Sequence, residues 1–152
     1  MSVNNNVDVI NIMEIIERVE NFAREYDLFK AHDKLLIACS GGPDSMALVD
    51  IFQKLSVKYK LEIIVSHAEH GIRKESSLND AWYVKNYCEQ KNIPFFMEHL
   101  NVLEHLKTEK LSVETLARKL RYQFLRKIAK AQNATKIVTA HHLNDQAETV
   151  LQ

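Results

Sequence analysis

The sequence predicts an α/β protein: a parallel sheet covered by helices on both faces. Three observations predict it. Short apolar and β-branched runs alternate with longer segments of helical periodicity between residues 34 and 152, an order that builds parallel sheets through right-handed crossovers. The run Leu35-Leu36-Ile37-Ala38-Cys39 contains no polar side chain, as suits a strand buried on both faces. All 3 glycines, Gly41, Gly42 and Gly71, fall where a strand gives way to a helix. Open α/β sheets bind ligands beyond the carboxyl ends of their strands, so chemistry is expected on that edge.

Each element follows in order. Ile12, Ile15, Ile16, Val19, Phe22, Ala23 and Tyr26 recur at helical spacing and describe an amphipathic helix packed on the domain. Residues 1–33 are assigned to this helical segment and 34–152 to the α/β domain. Strands are expected at 34–39, 61–66, 94–100 and 136–140. Helices are expected at 43–58, 77–91, 112–132 and from 144 onward. Leu78, Trp82, Tyr83 and Tyr87 recur at helical spacing and are expected in the core, and Cys39 reads as a small buried strand residue. The last residues start a helix without Gly, Pro or another stop, so the chain is expected to be truncated at its C-terminus.

Composition narrows the function classes. The chain has 152 residues, 46% hydrophobic and 26% charged, which describes globular material rather than a disordered segment. Lys plus Arg and Asp plus Glu both number 20. Global charge therefore does not advertise nucleic-acid binding, and such a role must rest on local patches. No apolar run approaches the ~20 residues of a membrane span, and the polar stretch 2–8 is not a signal peptide. Cys39 and Cys88 stand apart, against a disulfide framework, a zinc ribbon or a cysteine-ligated iron–sulfur cluster. A reducing, cytoplasmic setting fits.

Directly after the first strand stands Ser40-Gly41-Gly42-Pro43-Asp44-Ser45. Adjacent glycines permit a sharp turn whose N–H groups can approach an anion. Pro43 suits the first helical position, and the following helix points the positive end of its dipole at the loop. The segment lacks the Lys-Ser/Thr ending of a Walker A loop. A capped turn without ligand is the competing reading. An aspartate beside a phosphate nest, however, calls for a bridging cation.

Three loops share that edge, at 40–45, 67–73 and 141–145, and supply Asp44, His67, Glu69, His70, Arg73, His141, His142 and Asp145. Magnesium takes oxygen ligands, often one or two carboxylates with substrate phosphates, which makes Asp44 and Asp145 the metal candidates. For Asp145 the alternative is a charge opposing a helix dipole. The histidines also admit a zinc reading. Against it, His141 and His142 are consecutive and would leave an extended segment in opposite directions, and histidines beside a phosphate nest more naturally hydrogen-bond phosphate. A third cluster lies on the helix 112–132. Arg118 and Arg121 are three apart and share a face with Tyr122 nearby, and residues 107–130 carry eight basic against two acidic side chains. Arginine pairs suit phosphate and an aromatic can stack a base; the competing reading is a solvated basic face.

The segment Ser40-Gly41-Gly42-Pro43-Asp44-Ser45 is similar to the SGGxDS pyrophosphate loop of the PP-loop ATP pyrophosphatases. Three further segments resemble the tRNA(Ile)-lysidine synthetases: His67-Ala68-Glu69-His70-Gly71-Ile72-Arg73 with Glu75-Ser76, Ala117-Arg118-Lys119-Leu120-Arg121-Tyr122, and residues 139–149 with His141, His142, Asn144 and Asp145. The resemblance runs from about Lys34 to the end of the chain. It implies an adenine-nucleotide-hydrolase-like, Rossmann-like fold and a two-step ligation. ATP would adenylate the C2 oxygen of the wobble cytidine in a CAU-anticodon isoleucine tRNA, releasing pyrophosphate. The amine of L-lysine would then displace AMP.

The same resemblance implies that Ser40, Gly41, Gly42, Pro43, Asp44 and Ser45 hold the phosphates, with His67, His70 and His141 on the nucleotide side. Asp44 and Asp145 would hold Mg2+, and Asp44, Asp145, Arg118 and Arg121 would carry the catalysis. Two positions depart from the family pattern: Glu69 stands where Asp is common, and Asn144 where many members have a further Asp. Full members carry additional C-terminal domains. The partners implied are tRNA and lysine, not a membrane, and the oligomeric state is open. The alternatives are a thiolase-type PP-loop tRNA-modifying enzyme, or a nucleotide-binding regulatory module without chemistry.

Overall fold

A computed structural model describes residues 2–71, 74–140 and 149–150, with 2–12, 74–77 and 149–150 described by their backbone. Helix α1 (Ser2–Glu25) precedes β1 (Lys34–Ala38), α2 (Pro43–Tyr59), β2 (Glu62–Glu69) and α3 (Lys74–Gln90). Then come β3 (Phe95–His99), the short α4 (Val102–His105), α5 (Val113–Gln132), β4 (Lys136–Thr139) and β5 (Thr149–Val150). The strands lie in the order β3-β2-β1-β4-β5. The first four of these are parallel and β5 runs antiparallel to β4. The α/β architecture expected from the sequence is present. Because β2 leaves β1 on one side and β4 joins it on the other, the strand order reverses at β1 and opens a crevice at its carboxyl end.

Strand alternation decides which residues face which helices. Leu35, Ile37 and Cys39 enter one core with Leu48, Phe52, Val84 and Cys88 from α2 and α3, and Ile16 and Val19 of α1 pack on its margin. Leu36 enters the other with Leu116, Phe124 and Leu125 of α5 and Val102 of α4. Both faces of the sheet are therefore covered, which explains why β1 reads as a continuous apolar run. Truncating a fully buried leucine such as Leu36 to Ala would cost about 2–5 kcal/mol.

Several elements differ from the sequence expectation. Strand β2 continues to Glu69 instead of ending at 66, because β3 pairs with it through His67↔Met97 and Glu69↔His99. His67 and Glu69 are thus strand residues, not loop residues. Leu78, Trp82 and Tyr83, expected in the core, are 50%, 60% and 59% exposed. Helix α3 buries Ala81, Val84 and Cys88, spaced by three and four, and turns the aromatic stripe outward. Tyr87 is half-buried, and its phenol donates to Asp50 and Gln53; burial pushes it up to about 12. Helix α4 had no counterpart in the sequence reading. The helix expected from Asn144 lies outside the described residues over 144–148, and Thr149–Val150 is strand. Among the described residues no helix is long and apolar enough to cross a membrane.

Candidate functional site

The loop after β1 is organised by one hydroxyl. Ser45, 4% exposed, accepts from the N–H groups of Ser40 and Gly41, each at 3.2 Å, and donates to the Gly42 carbonyl at 3.0 Å. The Gly42 N–H donates to Ser40 Oγ at 3.3 Å, and the Ser40 and Ser45 hydroxyls lie 3.1 Å apart. The helix then begins with the Met46 N–H donating to the Gly42 carbonyl. The N-cap of α2 is Gly42, which has no side chain to close the helix end, and Pro43 follows as first helical residue. At α5 the same position is Ser112, whose hydroxyl accepts from the Thr115 N–H. One helix caps itself; α2 leaves its positive end to an external acceptor.

Gly41 has φ +90°, and a Cβ there would stand 2.9 Å from Asp80 Cβ. Glycine is required twice over at this turn, by backbone conformation and by the approach of α3. At Gly42 a Cβ would meet only Ser40 Oγ, at 3.5 Å, so the surface facing the cleft is open.

The loop forms one wall of a cavity of about 300 Å³, lined by Ser40, Gly42, Pro43, Asp44 and Ser45. The opposite wall is His70, Arg121 and Leu125, and the floor is Ala38, Ser66, Ala68, Thr139 and Ala140. Register explains why space exists here. Ala38 pairs with Ser66 on one side and Thr139 on the other, which sets three small side chains in one row across the sheet. Deeper in the same face, Leu36 and Ile137 fill the space beneath α5. The cavity is polar as well as open: Ser66 Oγ and His70 Nδ1 are buried without a hydrogen-bond partner. Burial holds His70 below the usual imidazole range, and the neighbouring Arg121 cation acts in the same direction. A neutral imidazole and a guanidinium therefore share the cavity with the Ser45-centred loop.

The sequence candidates separate on this geometry. Ser40, Gly42, Pro43, Asp44, Ser45, His70 and Arg121 are brought together around the cavity, and Gly41 supports the turn. Arg121 is half-buried in the wall. Arg118 is exposed and outside the lining, one turn away. Both guanidinium carbons lie over the Tyr122 ring, at 5.5 Å for Arg118 and 5.3 Å for Arg121. His67 also lies outside the lining: it is 4% exposed and donates Nδ1–H to the Cys39 carbonyl at 2.8 Å. His141, His142 and Asp145 lie outside the described residues. Among the described residues no three His, Cys, Asp or Glu side chains gather as a metal site. Sequence reasoning missed Ser66 and Thr139. Their small polar side chains between larger apolar neighbours were the available sign, but only the sheet register puts them in one row.

The donor set fits a nucleotide triphosphate. The uncapped first turn of α2 and its helix dipole suit phosphates, and unpartnered Ser66 and His70 atoms suit the polar parts of the ligand. The Asp44 carboxylate, in the first turn of α2 and in the cavity wall, is an oxygen ligand of the kind magnesium takes.

The chain is 41% identical over 140 residues to the tRNA(Ile)-lysidine synthase of Thermosipho africanus, matching 92% of this chain and 33% of that protein. The tRNA(Ile)-lysidine synthase of Petrotoga mobilis is 37% identical over 140 residues, 92% of this chain and 45% of that one. The chain thus spans about a third to under a half of these curated relatives. Among solved structures, the U34-tRNA thiolase NcsA of Methanococcus maripaludis superposes with a TM-score of 0.71 at 17% identity, over 86% of this chain and 47% of that one. The NH3-dependent NAD synthetase of Campylobacter jejuni gives 0.61 at 16%, over 83% and 55%. These two likenesses concern the fold. The model of the PP-loop domain matches residues 11–152 and so takes in the Ser45-centred loop, the cavity row and α5 together: the chain belongs to the PP-loop domain family.

Proposed function

We propose that this chain is the ATP-activating domain of a tRNA(Ile)-lysidine synthase. In that reaction lysine is joined to C2 of the wobble cytidine of a CAU-anticodon isoleucine tRNA through an adenylated base, with release of pyrophosphate and AMP. The observation that carries the reading is the uncapped α2 N-terminus facing Arg121 across a polar cavity. The names of the relatives supply the substrate class.

The chain's own residues divide the work. The uncapped first turn of α2 binds phosphate oxygens, and Ser45 holds the loop in shape before a ligand arrives. Arg121 faces the charge that develops as pyrophosphate leaves. His70, neutral at physiological pH, offers a hydrogen bond without adding a cation. Asp44, with Asp145, is proposed to hold Mg2+, which would offset phosphate charge when bound. Arg118 and Tyr122, outside the cavity, are the proposed contacts for tRNA. Residues 1–33 are a helical segment beside an activating domain formed by 34–152, and a cytoplasmic setting fits the substrate.

Incubation of the protein with Mg·ATP, labelled L-lysine and CAU-anticodon isoleucine tRNA tests the reading. Magnesium-dependent AMP and pyrophosphate release with lysine transfer to the tRNA is expected. Nucleotide binding without any lysine transfer, in the chain and in the longer protein carrying it, would leave a regulatory nucleotide module as the answer.

A further inference from the structure

Glu69 ends β2 one residue before His70, is 7% exposed, and uses both carboxylate oxygens. Oε1 accepts from the Gly71 N–H at 2.6 Å. Oε2 accepts from His99 Nδ1–H at 2.7 Å. His99 is the residue directly opposite on β3. Two backbone bonds add to these: Leu100 N–H donates to the Glu69 carbonyl at 2.8 Å, and Val102 N–H to the His70 carbonyl at 3.4 Å. His70 therefore sits between two anchored neighbours, at the point where the chain leaves the sheet through Gly71 with φ +76°. Its ring lies in the cavity wall with Nδ1 buried and unpartnered.

We propose that Glu69 is a positioning residue, with His99 as its second support, that fixes the turn at Gly71 and so holds the His70 ring against the nucleotide cavity. Side-chain length matters here. An aspartate can close an Asx turn onto the residue two positions on, but its carboxyl is one methylene shorter and leaves one of the two bonds unmade. Glutamate spans both the turn and the neighbouring strand. The acidic side chain in this motif thus acts on the shape of the turn through His99 and Gly71. The ligand that benefits is the nucleotide, so the inference rests on the nucleotide reading of the cavity.

The test uses Mg2+ with α,β-methylene-ATP, measuring dissociation constant, melting temperature and the ring resonances of His70 in the chain. Glu69→Gln keeps an acceptor for Gly71 and a donor for the other tautomer of His99, and should stay within about threefold of the parent. Glu69→Asp and Glu69→Ala should weaken nucleotide binding by about tenfold or more, with a displaced His70 resonance before any ligand is added. Lower stability with unchanged affinity and an unmoved His70 resonance would overturn the proposal, as would a Gln variant as weak as Ala. If Glu69→Ala does not fold, His99→Ala decides: the side chain is 52% exposed, so its loss leaves the core intact. An unmoved His70 resonance there also overturns the proposal. Failure of the parent itself to bind nucleotide would sink the cavity reading instead, and the ligand-free His70 resonances would still decide on the clamp.

Discussion

Gly41 and Asp80 are fitted together: a methyl group added at Gly41 would stand 2.9 Å from Asp80 Cβ, on a backbone with φ +90°. The contact is with the root of a helical side chain rather than a flexible tip, so α3 or the loop must move. Gly41→Ala is expected to destabilise the fold by about 1–3 kcal/mol and to weaken nucleotide binding through the displaced loop. Gly71→Ala provides the control, since its φ is +76° with nothing within 4 Å of a Cβ; it should cost only the conformational part, about 1 kcal/mol. Urea unfolding of both variants checks the difference. Equal losses would show that steric contact with α3 contributes nothing.

Ser45→Ala removes the acceptor shared by Ser40 and Gly41 and the donor to Gly42. A buried network deprived of its centre should lose about 1–3 kcal/mol of stability. Nucleotide affinity should fall together with stability, measurable by calorimetric titration. A variant with full affinity would mean that the phosphates organise the loop by themselves.

Arg121 and Arg118 should separate kinetically. Arg121→Ala, removing the guanidinium from the cavity wall, is expected to slow AMP formation about 10²-fold. Arg118→Ala leaves the cavity lining untouched and should act mainly on tRNA concentration dependence. Steady-state measurement over ATP and tRNA concentrations distinguishes the two. Identical profiles would refute the division.

His70 supplies a pH prediction. Its folded pKa lies below the unfolded value because burial and Arg121 disfavour the imidazolium. Its contribution to stability is therefore present above the unfolded pKa, near 6.5, and is lost as pH falls through the lower folded value. Ring resonances followed by NMR should titrate below the free-histidine midpoint. Arg121→Ala should raise that midpoint, and an unchanged one would remove Arg121 from the cause.

Glu20 makes a second, independent acid-sensitive contact. It accepts from Tyr59 at 2.6 Å and Arg24 at 2.9 Å and pairs with Lys58, tying α1 to the end of α2. The Lys58 and Tyr59 hydrogen bonds hold its carboxyl below the usual range. This contribution is present above the unfolded pKa and disappears as pH falls through the depressed folded value. Glu20→Gln should lower stability by roughly 1 kcal/mol at neutral pH and flatten the acid limb of the stability profile. Denaturation at pH 7 and pH 3 checks both.

Most strands and helices were legible because burial leaves a periodic trace: β1 as an unbroken apolar run, α5 as a striped helix with a Ser112 cap. The ends of α2 and α5, expected at 58 and 132, fall at Tyr59 and Gln132, although Lys60 and Asn133 take the left-handed cap with no glycine to mark it. The end of β2 was less legible, because pairing with β3 carries it to Glu69. The outward turn of Trp82 and Tyr83 was hidden for a related reason. Helical spacing identifies a stripe, but α3 carries a second stripe, Ala81, Val84 and Cys88, and the sheet selected that one.

By itself the sequence determined the α/β class and the glycine turn after β1. Both are local: two glycines, a proline and two serines within six residues dictate a turn, an open helix end and an internal hydrogen-bond network. Tertiary structure alone decided what that loop faces. Register across β2, β1 and β4 set Ser66, Ala38 and Thr139 in one row and left room above them. Helix α5 placed Arg121 over that room and left Arg118 outside. Pairing with β3 drew His67 into the strand and carried Glu69 to its partner His99. Such choices depend on contacts between residues distant in the chain, and no short window of sequence contains both partners.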